Sequence, residues 1–162
     1  WVPEPWYSRL VNEAGAVELV DEASLWPNGQ FVTTHLIAAT GFLQDNPKTI
    51  QKLLKGNIEA IDFANDNRTV AESLVATGIF NATGQKVDKA TITNSWENLT
   101  FTVDPIASSL AKSAKDAEEV GLLDPVDLKG IYDLKPLNKI LKTQGKPPVS
   151  DSLTIKTTKA TG

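Results

Sequence analysis

The only histidine of the chain, His35, lies in a run of strand-forming residues from Phe31 to Ile37. Successive side chains of a strand point to opposite faces, so Thr33 and His35 are predicted to share one face. An imidazole there can either satisfy a local hydrogen bond or contact a ligand. Two interpretations therefore stay open: a hydrogen-bonded histidine at a strand edge, or a ligand contact in a cleft.

A catalytic role for His35 lacks its usual companions. The chain has no cysteine and no Gly-x-Ser-x-Gly pattern, which removes the thiolate nucleophile and the common serine nucleophile. It also lacks the glycine-rich patterns that bind nucleotides, and a single histidine cannot supply a zinc-binding histidine pair. We predict that the protein is not an enzyme and has no catalytic residues and no metal site.

Glu4 is the carboxylate best placed for a specific role. Pro3 and Pro5 restrict the backbone on either side of it, and Trp6 and Tyr7 place flat apolar surface beside it. An acid at the start of a helix is also favoured by the helix dipole. Glu4 is therefore either a helix-start acid or a pocket carboxylate.

Composition limits the partners of the chain. Its 16 basic residues are scattered among 20 acidic ones, for a net charge of -4, so no basic stripe is available for nucleic acid. No apolar run reaches the roughly 18 residues of a membrane helix, and the N-terminus lacks the basic-then-apolar pattern of an export signal. Because the chain begins at Trp1 without Met, we expect a mature or truncated form of a longer product.

The elements that must position these residues follow from apolar spacing. Helical spacing and helix-stop residues predict helices over 6–14, 47–64, 69–79, 86–96, 106–120 and 135–143. Alternation and β-branched residues predict strands over 16–20, 31–40 and 99–103. This order is typical of an α/β protein that is mostly helical after about residue 45.

Several short motifs, in their order along the chain, carry a resemblance. They include Val2-Pro3-Glu4-Pro5-Trp6, Leu25-Trp26-Pro27, the run from Phe31 to Ile37, Asp104-Pro105-Ile106 and Gly130-Ile131-Tyr132-Asp133-Leu134. Together they resemble the C-terminal part of ABC-transporter substrate-binding proteins of the aliphatic sulfonate, nitrate and taurine family. The resemblance extends to about Leu141.

The resemblance implies the C-terminal portion of a two-lobed periplasmic-binding-protein type 2 fold. Residues 1–30 would complete the second lobe, residues 31–145 would form the hinge return and the C-terminal part of the first lobe, and residues 146–162 would be an extended or mobile tail. The family holds its ligand in the cleft between the lobes. By this analogy the ligand contacts in this chain are Glu4, Pro5, Trp6, Thr33, Thr34 and His35.

The same resemblance implies transport. The partners would be a small anionic solute such as an alkanesulfonate and an ABC permease, with no cofactor. The protein would work in the periplasm or on the extracellular face of the membrane, lipid-anchored in the intact parent if the source is Gram-positive. The alternatives are an enzyme of the thiamine-pyrimidine-synthesis type and a ligand-sensing regulatory domain. Because the family's first half is not in this sequence, self-association through unpaired edges is also expected.

Overall fold

The computed structural model describes residues 1–154, which fall into two compact units. The first unit combines Trp1–Leu19 with Asn57–Thr102. The second combines Val20–Gly56 with the described residues from Val103 onward. The proposed division into lobes at residues 30 and 145 stays a prediction, and residues 155–162 of the predicted tail lie outside the described part.

Seven α-helices and two short 3-10 helices build the described residues. The α-helices are α1 Trp6–Ala14, α2 Thr40–Asp45, α3 Pro47–Asp66, α4 Arg68–Thr83, α5 Lys89–Glu97, α6 Ala107–Glu119 and α7 Lys135–Thr143, and the 3-10 helices are Glu22–Leu25 and Pro27–Gly29. The six predicted helices are thereby confirmed, while α2 was not predicted. Gly15 and Gly84 end α1 and α4 with left-handed backbone angles, as expected of C-terminal glycines.

The predicted strands are wrong for the described residues. Segments 16–20, 31–40 and 99–103 form no strand, and residues 1–154 contain none elsewhere. A strand must exchange backbone hydrogen bonds with a neighbour, and no such ladder joins any of these three segments to another part of residues 1–154. The α/β prediction is therefore corrected to a helical arrangement, whereas the prediction of a mostly helical chain after about residue 45 is confirmed.

In the first unit α5 packs against both α1 and α4. Ile58, Ala71 and Ile92 bury their side chains here, one each from α3, α4 and α5. The joint between α1 and α5 is polar, since Ser8, Thr91 and Ser95 are also buried.

In the second unit the buried apolar side chains come mainly from α7. They are Leu137, Ile140 and Leu141, with Ile50 of α3 and Ala107 of α6 in the same unit. Near the end of the described chain, the Asn138 side chain both donates to and accepts from the backbone of Val149, at 3.0 and 2.8 Å. This paired bond fixes the segment after α7 against that helix.

Candidate functional site

His35 and Tyr132 form a hydrogen-bonded pair in the second unit. The Tyr132 hydroxyl lies 2.9 Å from Nε2 of His35, and the two rings are tilted by 40° with their centroids 5.8 Å apart. Both side chains are half-buried. The interpretation of His35 as a hydrogen-bonded residue is thus supported, although its partner comes from a segment 97 residues away.

Two contacts hold the segment that carries His35. The Val32 N–H donates to the Oγ of buried Ser109 in α6, at 3.2 Å. The ring of Phe31 stacks on that of Trp26 at 5.1 Å. The segment is therefore anchored at its first two residues, and Thr33 and Thr34 follow as exposed residues.

The acidity of Tyr132 is altered by its surroundings. Burial raises the pKa of Tyr132 above its ordinary value, and the negative charge of Asp104 raises it further. Asp104 is held in place because its Oδ1 accepts the N–H of Ile106 at 2.8 Å. Ile106 has φ 44°, a left-handed conformation that is uncommon for a β-branched residue and is often retained at functional sites.

Beside Tyr132 lies a pocket of about 330 Å³. Its walls are Tyr132, Asp133, Leu134, Lys135, Asn138, Val149 and Asp151. The two carboxylates outnumber the single ammonium group, and the Asn138 amide is already engaged by Val149. The charge balance of this pocket disfavours an anion.

The other three candidates lie in the first unit. Glu4 accepts hydrogen bonds from the Ser8 N–H and hydroxyl, at 3.2 and 2.9 Å, and from the Asn98 side chain, at 2.6 Å. The Ser95 hydroxyl lies 2.9 Å from the same carboxylate. Pro5 precedes α1, and its carbonyl accepts the N–H of Arg9. Glu4 therefore joins the start of α1 to α5.

Trp6 begins α1 and leaves about half of its side chain in solvent. The Arg9 guanidinium lies 5.5 Å from the centre of its ring, a cation–π distance. Trp6 thus presents aromatic surface outward beside a positive charge.

The six predicted residues are divided between the two units, with Glu4, Pro5 and Trp6 in the first and Thr33, Thr34 and His35 in the second. Sequence reasoning missed Tyr132 as a functional residue, although its motif was part of the resemblance. A contact across 97 residues leaves no spacing signal in one sequence. The available clue was a polar aromatic residue between Ile131 and Asp133, just before α7.

Comparison with protein families matches residues 1–99 to the NMT1-like family, which is more than half of the chain. The chain belongs to the NMT1-like family. This is a family of ABC-transporter substrate-binding proteins of the sulfonate, nitrate and taurine type, which bind small solutes, work with ABC permeases and are typically periplasmic or extracellular. The matched range contains all six candidate residues but not Tyr132.

No curated protein and no solved structure matches the chain. Within residues 1–154, none of the helices combines the length and apolar character needed to span a bilayer. The same residues hold no group of three or more His, Cys, Asp or Glu side chains arranged to bind a metal ion.

Proposed function

We propose that this protein is the solute-binding component of an ABC importer and that it captures an aliphatic sulfonate or a related small anion for delivery to the permease. The observation that carries the proposal is membership of the NMT1-like family over residues 1–99. We further propose that it works in the periplasm or on the outer face of the membrane and that it binds without catalysing a reaction.

The chemistry of the second unit supports an anionic ligand. Thr33 and Thr34 are exposed and directly precede His35 in the chain, and hydroxyl and N–H donors can bind an oxyanion without a dedicated basic residue. Glu4, Pro5 and Trp6 belong to the first unit, and their role as ligand contacts stays a proposal that rests on the family resemblance.

A thermal-shift screen tests the proposal, because a ligand that binds only the folded state raises the melting temperature. The chain is heated alone and with millimolar propane-1-sulfonate, taurine, nitrate or an aminopyrimidine. We expect the sulfonate to raise Tm and to do so more as its concentration increases. A shift with the aminopyrimidine alone would support the enzyme of the thiamine-pyrimidine type instead.

Matched variants assign any shift to the proposed residues. The double substitution Thr33→Val and Thr34→Val removes both hydroxyls with little change in shape, and we expect it to abolish the sulfonate shift. Thr69→Val, at an exposed position of α4 in the first unit, should leave the shift unchanged. If no sulfonate alters Tm of the unsubstituted chain, the proposed ligand class is wrong.

A further inference from the structure

The hydrogen bond between His35 and Tyr132 can be formed in two ways. A neutral imidazole carries one proton, so one of its nitrogens donates and the other accepts. Either Nε2 donates to the phenol oxygen, or the phenol hydroxyl donates to Nε2. The two arrangements present opposite hydrogen-bonding character at Nδ1, the other ring nitrogen.

The surroundings of Tyr132 favour donation by the phenol. The phenol keeps its proton in both arrangements, so the choice depends on where its hydrogen finds an acceptor. Within residues 1–154, Nε2 of His35 is the only hydrogen-bond partner of this hydroxyl. If Nε2 carried a proton, the phenol hydrogen would have no acceptor in the described protein. Donation to Nε2 satisfies both groups with one bond.

The consequence falls on Nδ1. When Nε2 accepts, the proton of the neutral ring resides on Nδ1. Within the described residues Nδ1 has no hydrogen-bond partner, and it belongs to a half-buried residue that directly follows the exposed residues Thr33 and Thr34 in the chain. An N–H at this place adds a third donor to the two hydroxyls, which suits the oxygens of a sulfonate.

We propose that Tyr132 is a positioning residue that fixes neutral His35 as the Nδ1–H tautomer and thereby makes Nδ1–H a donor for an anionic oxygen. The identity of that oxygen as part of the solute rests on the proposed function. The tautomer itself does not, and it can be measured without any ligand.

Nitrogen-15 NMR of the labelled protein distinguishes the tautomers, and the single histidine removes any ambiguity of assignment. Long-range proton–nitrogen spectra identify the neutral ring and show which nitrogen bears the proton. We expect Nδ1–H in the unsubstituted protein and a shift toward Nε2–H in Tyr132→Phe, which retains the ring and loses the hydroxyl. Nε2–H in the unsubstituted protein, or Nδ1–H in both proteins, would overturn the proposal.

Measurements of sulfonate binding by the variants distinguish this inference from the proposed function. Tyr132→Phe should weaken propane-1-sulfonate binding about five- to tenfold, the effect of one hydrogen bond. In a His35→Asn background, where the amide nitrogen replaces Nδ1–H and needs no tautomer, Tyr132→Phe should have no effect. If neither the unsubstituted protein nor any variant binds sulfonate, the proposed function is refuted. If the NMR spectra nevertheless show the expected change of tautomer in Tyr132→Phe, the positioning role of Tyr132 is still confirmed. Equal weakening in the His35→Asn background would overturn that role.

Discussion

Glu4 lies where α1 meets α5, and its two carboxylate oxygens are occupied by donors from Ser8, Ser95 and Asn98. The sequence left two interpretations of Glu4, a helix-start acid and a pocket carboxylate. The contacts support an acid that fixes the start of α1.

Glu4→Ala should lower the free energy of unfolding by about 1–3 kcal/mol, because it leaves polar partners at the α1–α5 joint without their acceptor. Urea denaturation followed by tryptophan fluorescence measures the change. The matched control is Glu13→Ala on the same helix, which removes only an exposed pair with Arg9 and should cost about 0.5 kcal/mol or less. Equal effects of the two substitutions would contradict the proposed joint.

Tyr132 should ionise above the ordinary tyrosine pKa of 10.0, since burial first and the charge of Asp104 second disfavour its phenolate. Ionisation of tyrosine is followed by its absorbance as the pH is raised. The titration curve of the unsubstituted protein minus that of Tyr132→Phe gives the ionisation of Tyr132 alone. Because the folded protein disfavours the phenolate of Tyr132, this group contributes its full stabilisation below the unfolded pKa of about 10. That stabilisation is lost as the pH rises through the higher pKa of Tyr132 in the folded protein. The Tyr132→Phe protein should therefore lose less stability than the unsubstituted protein on alkalinisation.

Asp104→Asn distinguishes the two causes of the Tyr132 shift. The substitution removes the charge and keeps a side-chain oxygen for the Ile106 N–H. The pKa of Tyr132 should fall and still exceed 10.0, because burial, the larger cause, is unchanged. An unchanged titration midpoint would exclude the charge of Asp104 as a cause.

At the scale of elements, apolar periodicity located the helices of this chain but did not settle what each helix packs against. The stripe that contains Trp6 and Leu10 predicted α1, yet both side chains are substantially exposed while Ser8 on another face is buried. Periodicity reports that one face differs from the other. Which face is covered depends on neighbours, here the polar surface of α5.

Strand prediction for residues 31–40 failed for a related reason. β-propensity describes how well a residue fits a half-buried pleated surface between neighbours, and the described residues provide no such neighbour. The same limit applies to the site. His35 was predicted from its residue type alone, whereas Tyr132 required a contact between distant segments that no local pattern encodes.

In the unassociated chain, at low protein concentration, the backbone amides of residues 33–38 should exchange with solvent close to their intrinsic rates, because none of them donates a hydrogen bond to another described residue. Hydrogen exchange followed by mass spectrometry compares a peptide from this segment with one from α3, whose amides bond within a 20-residue helix. Strong protection of residues 33–38 would show that a partner strand covers them in solution.

On the scale of the whole molecule, each unit leaves large apolar side chains in solvent. In the first unit Trp1 is 88% exposed, and in the second Ile37 is 86% exposed with Leu36 at 55%. Contiguous exposed apolar surface is typical of surfaces that bind another molecule. In the segment from Phe31 to Ile37 this surface coincides with β-branched residues, no charged side chain and no proline, the composition that favours strand pairing between chains.

Self-association through this segment is therefore the prediction for the molecule in solution. Light scattering coupled to size-exclusion chromatography should give a mass above the 17.5 kDa of one chain, rising with protein concentration.

Leu36→Lys with Ile37→Lys should shift the protein toward the monomer, because paired copies would bring like charges together. Gln51→Lys with Gln85→Lys, at exposed positions outside the segment, adds the same charge and should leave the mass unchanged. A concentration-independent mass of one chain for the unsubstituted protein would rule out this mode of association, and equal dissociation by both double variants would assign it to net charge instead of strand pairing.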